Sequence, residues 1–399
     1  MQSPFKNDWQ KFSEMNRNKG YWSNNVFWSL TICLAICMLL YCYIAWNSAT
    51  AWGDIGAITR NSAWIKRHLQ PSHIDTTVLA INIAYDKQLV PHYDEYGIQD
   101  GTIDITDREK LYQLFRFLND NPNYRYIVCD VGFSRDYHTL YDSLLYDLLA
   151  KMERICISSI GEPIEMLDLI SCSAEYQMKR AGDGFLQYKY TSSDRQSIPV
   201  RMWEDIDNGR YCKHWYGYTR NGRLCSDGVI PDMHFAIEDN YDANGRKQLY
   251  NLGTDILNYA CTEEGKLFKD KIILIGDWTE NDMHDTMRAE QPGISILYNA
   301  YLILRDGKNS IPWYMLLILL LLFWAVSIIA LWRKNAYLSQ YLQKMQQYIN
   351  QHKILMVCFR FISIMFVLEC VFVVCYFAFD RYINILAIGV ILTIISFII

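Results

Sequence analysis

The chain has 399 residues with 38 basic and 43 acidic side chains, a net charge of −5. That balance excludes the basic surface of a general nucleic-acid binder. Apolar residues make up 51%, above the roughly 45–50% of soluble domains; they concentrate at the two ends, which excludes an evenly globular chain.

In chain order, residues 1–25 are a polar segment carrying Lys6, Lys11, Arg17 and Lys19. Residues 26–46 form an uncharged apolar run of membrane-spanning length. Ala49 and Ala51 make an A-x-A pattern, but the run exceeds a signal-peptide core and about 25 residues precede it, so a retained anchor is expected. Three further runs follow, at 313–332, 354–379 and 382–399. Trp28, Trp46, Trp313 and Trp332 lie at or near run ends, where interfacial aromatics collect. The connecting segment 333–353 carries Arg333, Lys334, Lys344 and Lys353 without an acid. Basic flanks mark the cytoplasmic side. Four transmembrane helices, one N-terminal and three C-terminal, therefore put both termini in the cytoplasm. Residues 47–312 become a periplasmic domain on a bacterial inner membrane, with the lipid bilayer as the first partner.

The outer segment is long enough for one large core. Apolar runs at 77–84, 126–131, 154–160 and 271–275 read as strands covered on both faces. Between them, residues 107–118 predict a helix capped by Asp107, with Leu111, Leu114, Phe115 and Leu118 on one face. Residues 141–152 repeat the pattern with Leu144, Leu145, Leu148 and Leu149. Segments 254–260 and 294–304 are further helices. This alternation predicts an α/β domain with a largely parallel sheet. The stretch 171–250, rich in Tyr, Gly, Asn and Asp, reads as an irregular insertion or antiparallel extension, with a strand-like piece at 184–190.

Twelve cysteines divide evenly between the spans and the outer domain. Cys129 and Cys156 lie in strand-like runs and read as buried thiols. Cys212 and Cys225 flank a turn-rich stretch and are the best disulfide pair in an oxidising compartment. The absence of C-x-x-C argues against a zinc or thioredoxin-type motif.

Parallel α/β sheets hold ligands beyond the carboxyl ends of their strands. Asp86, Asp130, Gly276, Asp277 and Asp285 fall there and are the candidate ligand-binding residues. Asp282, His284 and Asp285 form a D-x-H-D cluster that could ligate a metal, but caps on a polar loop explain it equally, and no metal or cofactor is expected. No phosphate loop, nucleophile elbow or zinc-protease helix occurs, so no catalytic residue and no enzymatic activity are expected. Glu369, inside the third run, is a functional candidate as an intramembrane acid, with packing against a polar neighbour as the alternative.

The segment KDKIILIGDWTENDMHDTMRAEQPGISILYNAYLIL at 269–304 resembles the second class of CHASE domain, a sensory extracellular domain associated with cyclases and histidine kinases. The matching positions are the strand at 271–276, Asp285, Pro292-Gly293 and Asn299-Ala300. VLAINIAYDKQL resembles the family's first strand, and YIVCDVGFS its i-x-f-D-i-x-F strand, through Asp130 and Phe133. Asn82 and Ala84 stand where the family carries acids, and Tyr298 where it carries His. The one-plus-three arrangement of spans matches as well. The resemblance implies a sensor. No cyclase or kinase domain follows within the 399 residues, so the expected output runs through a separate protein partner in the membrane or cytoplasm, with a homo-oligomer also open. The alternative is a structural subunit of a membrane complex that senses nothing.

Overall fold

A computed structural model describes residues 76–318 except 94–95, 135–136, 160–163, 175–179, 182–183, 186–187, 192–194, 230–234, 238–240, 242–246, 259–264, 280–281 and 287–289. It also describes residues 30–31, 33–34, 65, 320–321, 324, 362, 366, 368 and 370. The expected spans at 26–46, 354–379 and 382–399, most of 313–332, and Glu369 lie outside the described residues. Among the described residues, no helix is long and apolar enough to cross a membrane.

The chain divides into two units. One comprises 1–48, 224–226 and 310–399. Within it, the Ile311 N–H donates to the Leu224 carbonyl at 2.9 Å, and the Cys33 thiol donates to the Leu320 carbonyl at 3.1 Å. The other, 49–223 and 227–309, is an α/β domain.

Strand β1 is Val78–Asn82, and a ribbon follows it, β2 (Lys87–Tyr93) with β3 (Gln99–Thr106), antiparallel. Helix α1 is Arg108–Asp120. The Asp107 carboxylate accepts from the Lys110 N–H at 3.1 Å, which satisfies one of the free donors at the helix start. Leu111, Leu114, Phe115 and Leu118 are buried, on the face their spacing predicted. Strand β4 (Tyr126–Cys129), helix α2 (Asp142–Leu149), strand β5 (Ile155–Ser159) and strand β6 (Ser171–Ser173) follow. Helix α2 is shorter than 141–152. It buries Leu145 and Leu149 but leaves Leu144 exposed, because so short a helix offers the sheet a single narrow stripe.

The segment 171–250, expected as an irregular insertion or an antiparallel extension, shows antiparallel pairs among its described residues. Its first residues, β6, and its last, β14 (Leu249–Asn251), are the two edges of the central sheet. Between them lie short strands β7 (Arg180–Ala181) and β8 (Gly184–Phe185), antiparallel, and β9 (Tyr188–Lys189). Helix α3 (Ile198–Asp207) carries Pro199 in its first turn, which its fixed φ suits. It ends at Asn208 in the left-handed region, φ 52°. Strands β10 (Tyr211–His214) and β11 (Gly217–Arg220) form a hairpin. Strands β12 (Arg223–Cys225) and β13 (Gly228–Val229) follow, with β13 pairing β9. The expected Cys212–Cys225 disulfide is absent. Cys212 faces Thr219 across the hairpin, so no cysteine occupies its cross-strand position.

The expected helix at 254–260 is instead a π-helical turn, Leu252–Leu257, burying Leu252 and Ile256. Strand β15 (Ile272–Gly276) leads through the hairpin β16 (Met283–Asp285) and β17 (Glu290–Pro292) into helix α4 (Gly293–Asp306).

The central sheet has the order β14-β1-β15-β4-β5-β6, and every neighbouring pair is parallel. Strand β15 is the last of these six in the chain yet inserts between β1 and β4. Helices α1 and α2 cover one face, against Leu79, Ile127, Ile157 and Ile273. Helices α3 and α4 cover the other, against Tyr126, Val128, Cys156 and Leu274. Burial from both sides explains why these strands read as continuous apolar runs.

Candidate functional site

The insertion of β15 brings three carboxyl ends together. The Ile83 N–H donates to the Gly276 carbonyl at 3.1 Å, and the Asp130 N–H to the Ile275 carbonyl at 2.8 Å. At the β1 end the gap is closed by the neutral amide of Asn82. Its Oδ1 accepts from the N–H groups of Ala84 at 3.0 Å and Trp278 at 3.2 Å, and its Nδ2 donates to Asn251 Oδ1 at 3.2 Å. The amide satisfies these groups without burying a charge.

One strand along, on the α3/α4 side, Asp130 is half-buried at the end of β4. Its carboxyl is pushed up to about 7, first by burial and then by the Asp282 carboxylate; Ser158 and His284 pull the other way. Asp282 is held from two directions. Its Oδ1 lies 3.3 Å from His284 Nε2, and its Oδ2 accepts the Gly293 N–H, the first of α4, at 3.2 Å. A Cβ on Gly293 would sit 2.7 Å from that oxygen. Asp282 and His284 thus pair at the start of α4, where the helix dipole favours negative charge, and their charges act on Asp130.

The predicted site residues divide between two arrangements. Asp130 joins the cluster. Gly276 lets α4 approach, since a Cβ there would meet Ile294 Cγ2 at 3.1 Å. Asp277 caps the next turn: its Oδ1 accepts from the Thr279 N–H and hydroxyl at 2.9 and 2.6 Å, and its Oδ2 lies 3.7 Å from Lys87 Nζ. Asp285 lies in β16, opposite Glu290. Asp86 is apart from the cluster. It is buried, accepts from Lys110 Nζ at 2.6 Å and from the Gly253 N–H at 3.1 Å, and so ties α1 to the π-helical turn. The hydrogen bond to Asp86 raises the Lys110 ammonium pKa. Among the described residues, no group of three His, Cys, Asp or Glu side chains forms a metal site.

Two participants escape sequence reasoning. Buried Arg108, the first residue of α1, donates from Nη2 to the Gly132 carbonyl at 3.1 Å, stacks on Phe133 at 4.5 Å and lies 3.8 Å from Asp142. Burial is the main reason its pKa is lowered. A charged residue in a helix's first turn looks solvated in sequence, and nothing local marks this one as buried. The half-buried Trp278 presents an indole N–H that has no hydrogen-bond partner among the described residues. Its position directly after the Gly276-Asp277 strand end was the available signal.

Helix α4 links this end of the domain to the other. Ile294 packs at the carboxyl end of β15. Seven residues on, the Tyr301 hydroxyl donates to Asp207 at 2.9 Å, and Asp207 lies 3.7 Å from Arg125, just before β4. The helix therefore runs antiparallel to the strands, from their carboxyl ends to their amino ends.

No family model, no curated protein and no solved structure matches this chain.

Proposed function

We propose that the chain is a membrane-anchored extracytoplasmic sensor subunit. In this reading a ligand or envelope signal acts at the Asp130–Asp282–His284 cluster, and the C-terminal helices relay the change to a separate protein partner. The supporting observation is the hydrogen bond from Gly293 to Asp282. A group that altered the charge of the cluster would alter the anchoring of α4 at its first residue. The far end of α4 is where the chain leaves the domain toward the apolar run at 313–332. The CHASE-like motifs and the four apolar runs point the same way, with the domain in the periplasm of a bacterial inner membrane and no catalytic role. A ligand shifts such a system only if it binds two states with different affinity.

The test is thermal unfolding of the full detergent-solubilised chain against a panel of periplasmic small molecules, since a ligand that binds the folded state raises its melting temperature. A hit whose shift is lost in Asp130→Asn and Asp282→Asn supports the reading. No hit across the panel, or a shift unchanged in both variants, argues against it.

A second reading, a structural subunit of a membrane complex, is favoured by exposed apolar residues on and beside the β2–β3 ribbon, including Leu89, Tyr96 and Ile98. A two-stranded ribbon is marginal by itself, and such a surface suits a protein partner. A stoichiometric partner retained after mild extraction, and lost in Leu89→Asp with Ile98→Asp, favours this alternative.

A further inference from the structure

The β10–β11 hairpin combines three features that neither fold nor cluster requires. Its turn exposes Trp215, at 86%, beside Tyr216. The rings are ordered against one another: His214 stacks on Tyr216 at 4.9 Å, and Trp215 meets Tyr216 edge-on at 5.5 Å. Large aromatic surface held rigid in water is unfavourable unless something covers it.

The second feature is charge. In a chain of net charge −5, residues 208–223 contain no acid and four basic residues, Arg210, Lys213, Arg220 and Arg223. Arg210, Lys213 and Arg223 are exposed. Three acids precede it at the end of α3: Glu204 accepts the Tyr211 N–H at 3.1 Å, Asp207 accepts the Tyr301 hydroxyl, and the exposed Asp205 is paired with Arg201 at 2.7 Å.

The third is place. Arg220 Nη2 donates to the Leu304 carbonyl at 2.5 Å, in the last turn of α4, and its guanidinium lies 4.9 Å over Trp203. The root of the hairpin is thus fastened to the end of α4 from which the chain departs, nine residues before Trp313.

We propose that the β10–β11 hairpin is a bilayer-docking element, with Trp215 and Tyr216 seated among the headgroups of an anionic phospholipid surface and Arg210, Lys213 and Arg223 facing its phosphates. Tryptophan and tyrosine favour the headgroup level because one edge is polar and the body apolar. Each basic residue at an anionic surface contributes roughly a factor of five to partition. The hairpin would fix the domain's orientation against the membrane while the carboxyl-end cluster stays away from it. This rests on the membrane anchoring proposed above.

The experiment places a photo-crosslinking diazirine amino acid at position 215 of the full chain. The protein is reconstituted in vesicles of phosphatidylcholine alone or mixed with phosphatidylglycerol, illuminated, and the adducts are identified by mass spectrometry. A matched probe at position 320, in the apolar run, reports whether the chain spans the membrane. The expected result is a lipid adduct at both positions, with the yield at 215 several-fold higher when phosphatidylglycerol is present. That excess should be lost in Lys213→Glu with Arg223→Glu, both exposed. A lipid adduct at 320 with only water or protein adducts at 215 overturns the docking proposal and leaves the anchor standing. No lipid adduct at either position removes the anchor and the proposal with it.

Discussion

The Asp282 carboxylate accepts the Gly293 N–H at 3.2 Å, so a residue eleven positions upstream caps helix α4 across the β16–β17 hairpin. Helix starts leave several N–H groups without partners, and Pro292 before this one has no side chain that can accept. The cap is therefore imported. Replacing it, Asp282→Ala, is expected to cost about 1–2 kcal/mol in denaturant unfolding. Gly293→Ala should cost a similar amount, because its Cβ would meet Asp282 Oδ2 at 2.7 Å. The double variant should be less destabilised than the sum, since both changes break one bond.

Asp130 makes stability depend on pH in a stated direction. Its carboxyl is raised from 3.8 to about 7 in the folded protein, so between those values the folded state holds more protons than the unfolded. Stability then falls as pH rises through that window, and the neutral form is the favoured one. Asp130→Asn should therefore match the wild type below pH 4 and exceed it at pH 8 by up to about 4 kcal/mol. Urea titrations at pH 4, 6 and 8 measure this; a variant less stable than wild type at pH 8 would contradict it.

Asp86 behaves as a structural tie. Its two oxygens serve Lys110 Nζ and the Gly253 N–H, and removal leaves the half-buried Gly253 donor unmatched and Lys110 with only Asp107, at 4.0 Å. Asp86→Ala is expected to cost roughly 2–4 kcal/mol. Any ligand-induced melting shift measured in the wild type should persist in this variant, whereas it should vanish in Asp130→Asn.

Asn299 anchors α4 to the insertion. Its Oδ1 accepts the Phe235 N–H at 3.0 Å, and its Nδ2 donates to the carbonyls of Phe235 and Ser295, both at 2.8 Å. All of this is buried. Asn299→Leu keeps the volume but strands the Phe235 backbone, so a loss of about 2–3 kcal/mol is expected. Hydrogen exchange at Phe235 should accelerate before global unfolding does.

The α/β character was legible because its cause is local. Strands buried on both faces leave uninterrupted apolar runs, as in IILIG and YIVC, and α1 leaves both a cap and an apolar stripe. Of the insertion, only its antiparallel character and the strand-like piece at 184–190 were legible. Helix α3 contains a proline and no acidic start, and β6 and β14 are three residues each, too short for a period of two to be read. The β2–β3 ribbon was missed because little of it is buried: exposed strands carry mixed residues with no core face to impose alternation.

By itself the sequence determined the four central strands β1, β4, β5 and β15, the helices α1, α2 and α4, where acids follow strand ends, and which stretches are apolar enough to be expected in a bilayer. Those properties depend on neighbours along the chain. Only the tertiary structure decided that β15, the last strand of the central sheet, enters between β1 and β4, because strand order is settled by packing between distant segments. That insertion brings Asp130 to Asp282 and His284. It leaves Asp86, another aspartate that follows a strand, bound to Lys110 and Gly253 instead. The same physics separates the two: a buried carboxylate must be matched by donors, and which donors reach it is a property of the fold.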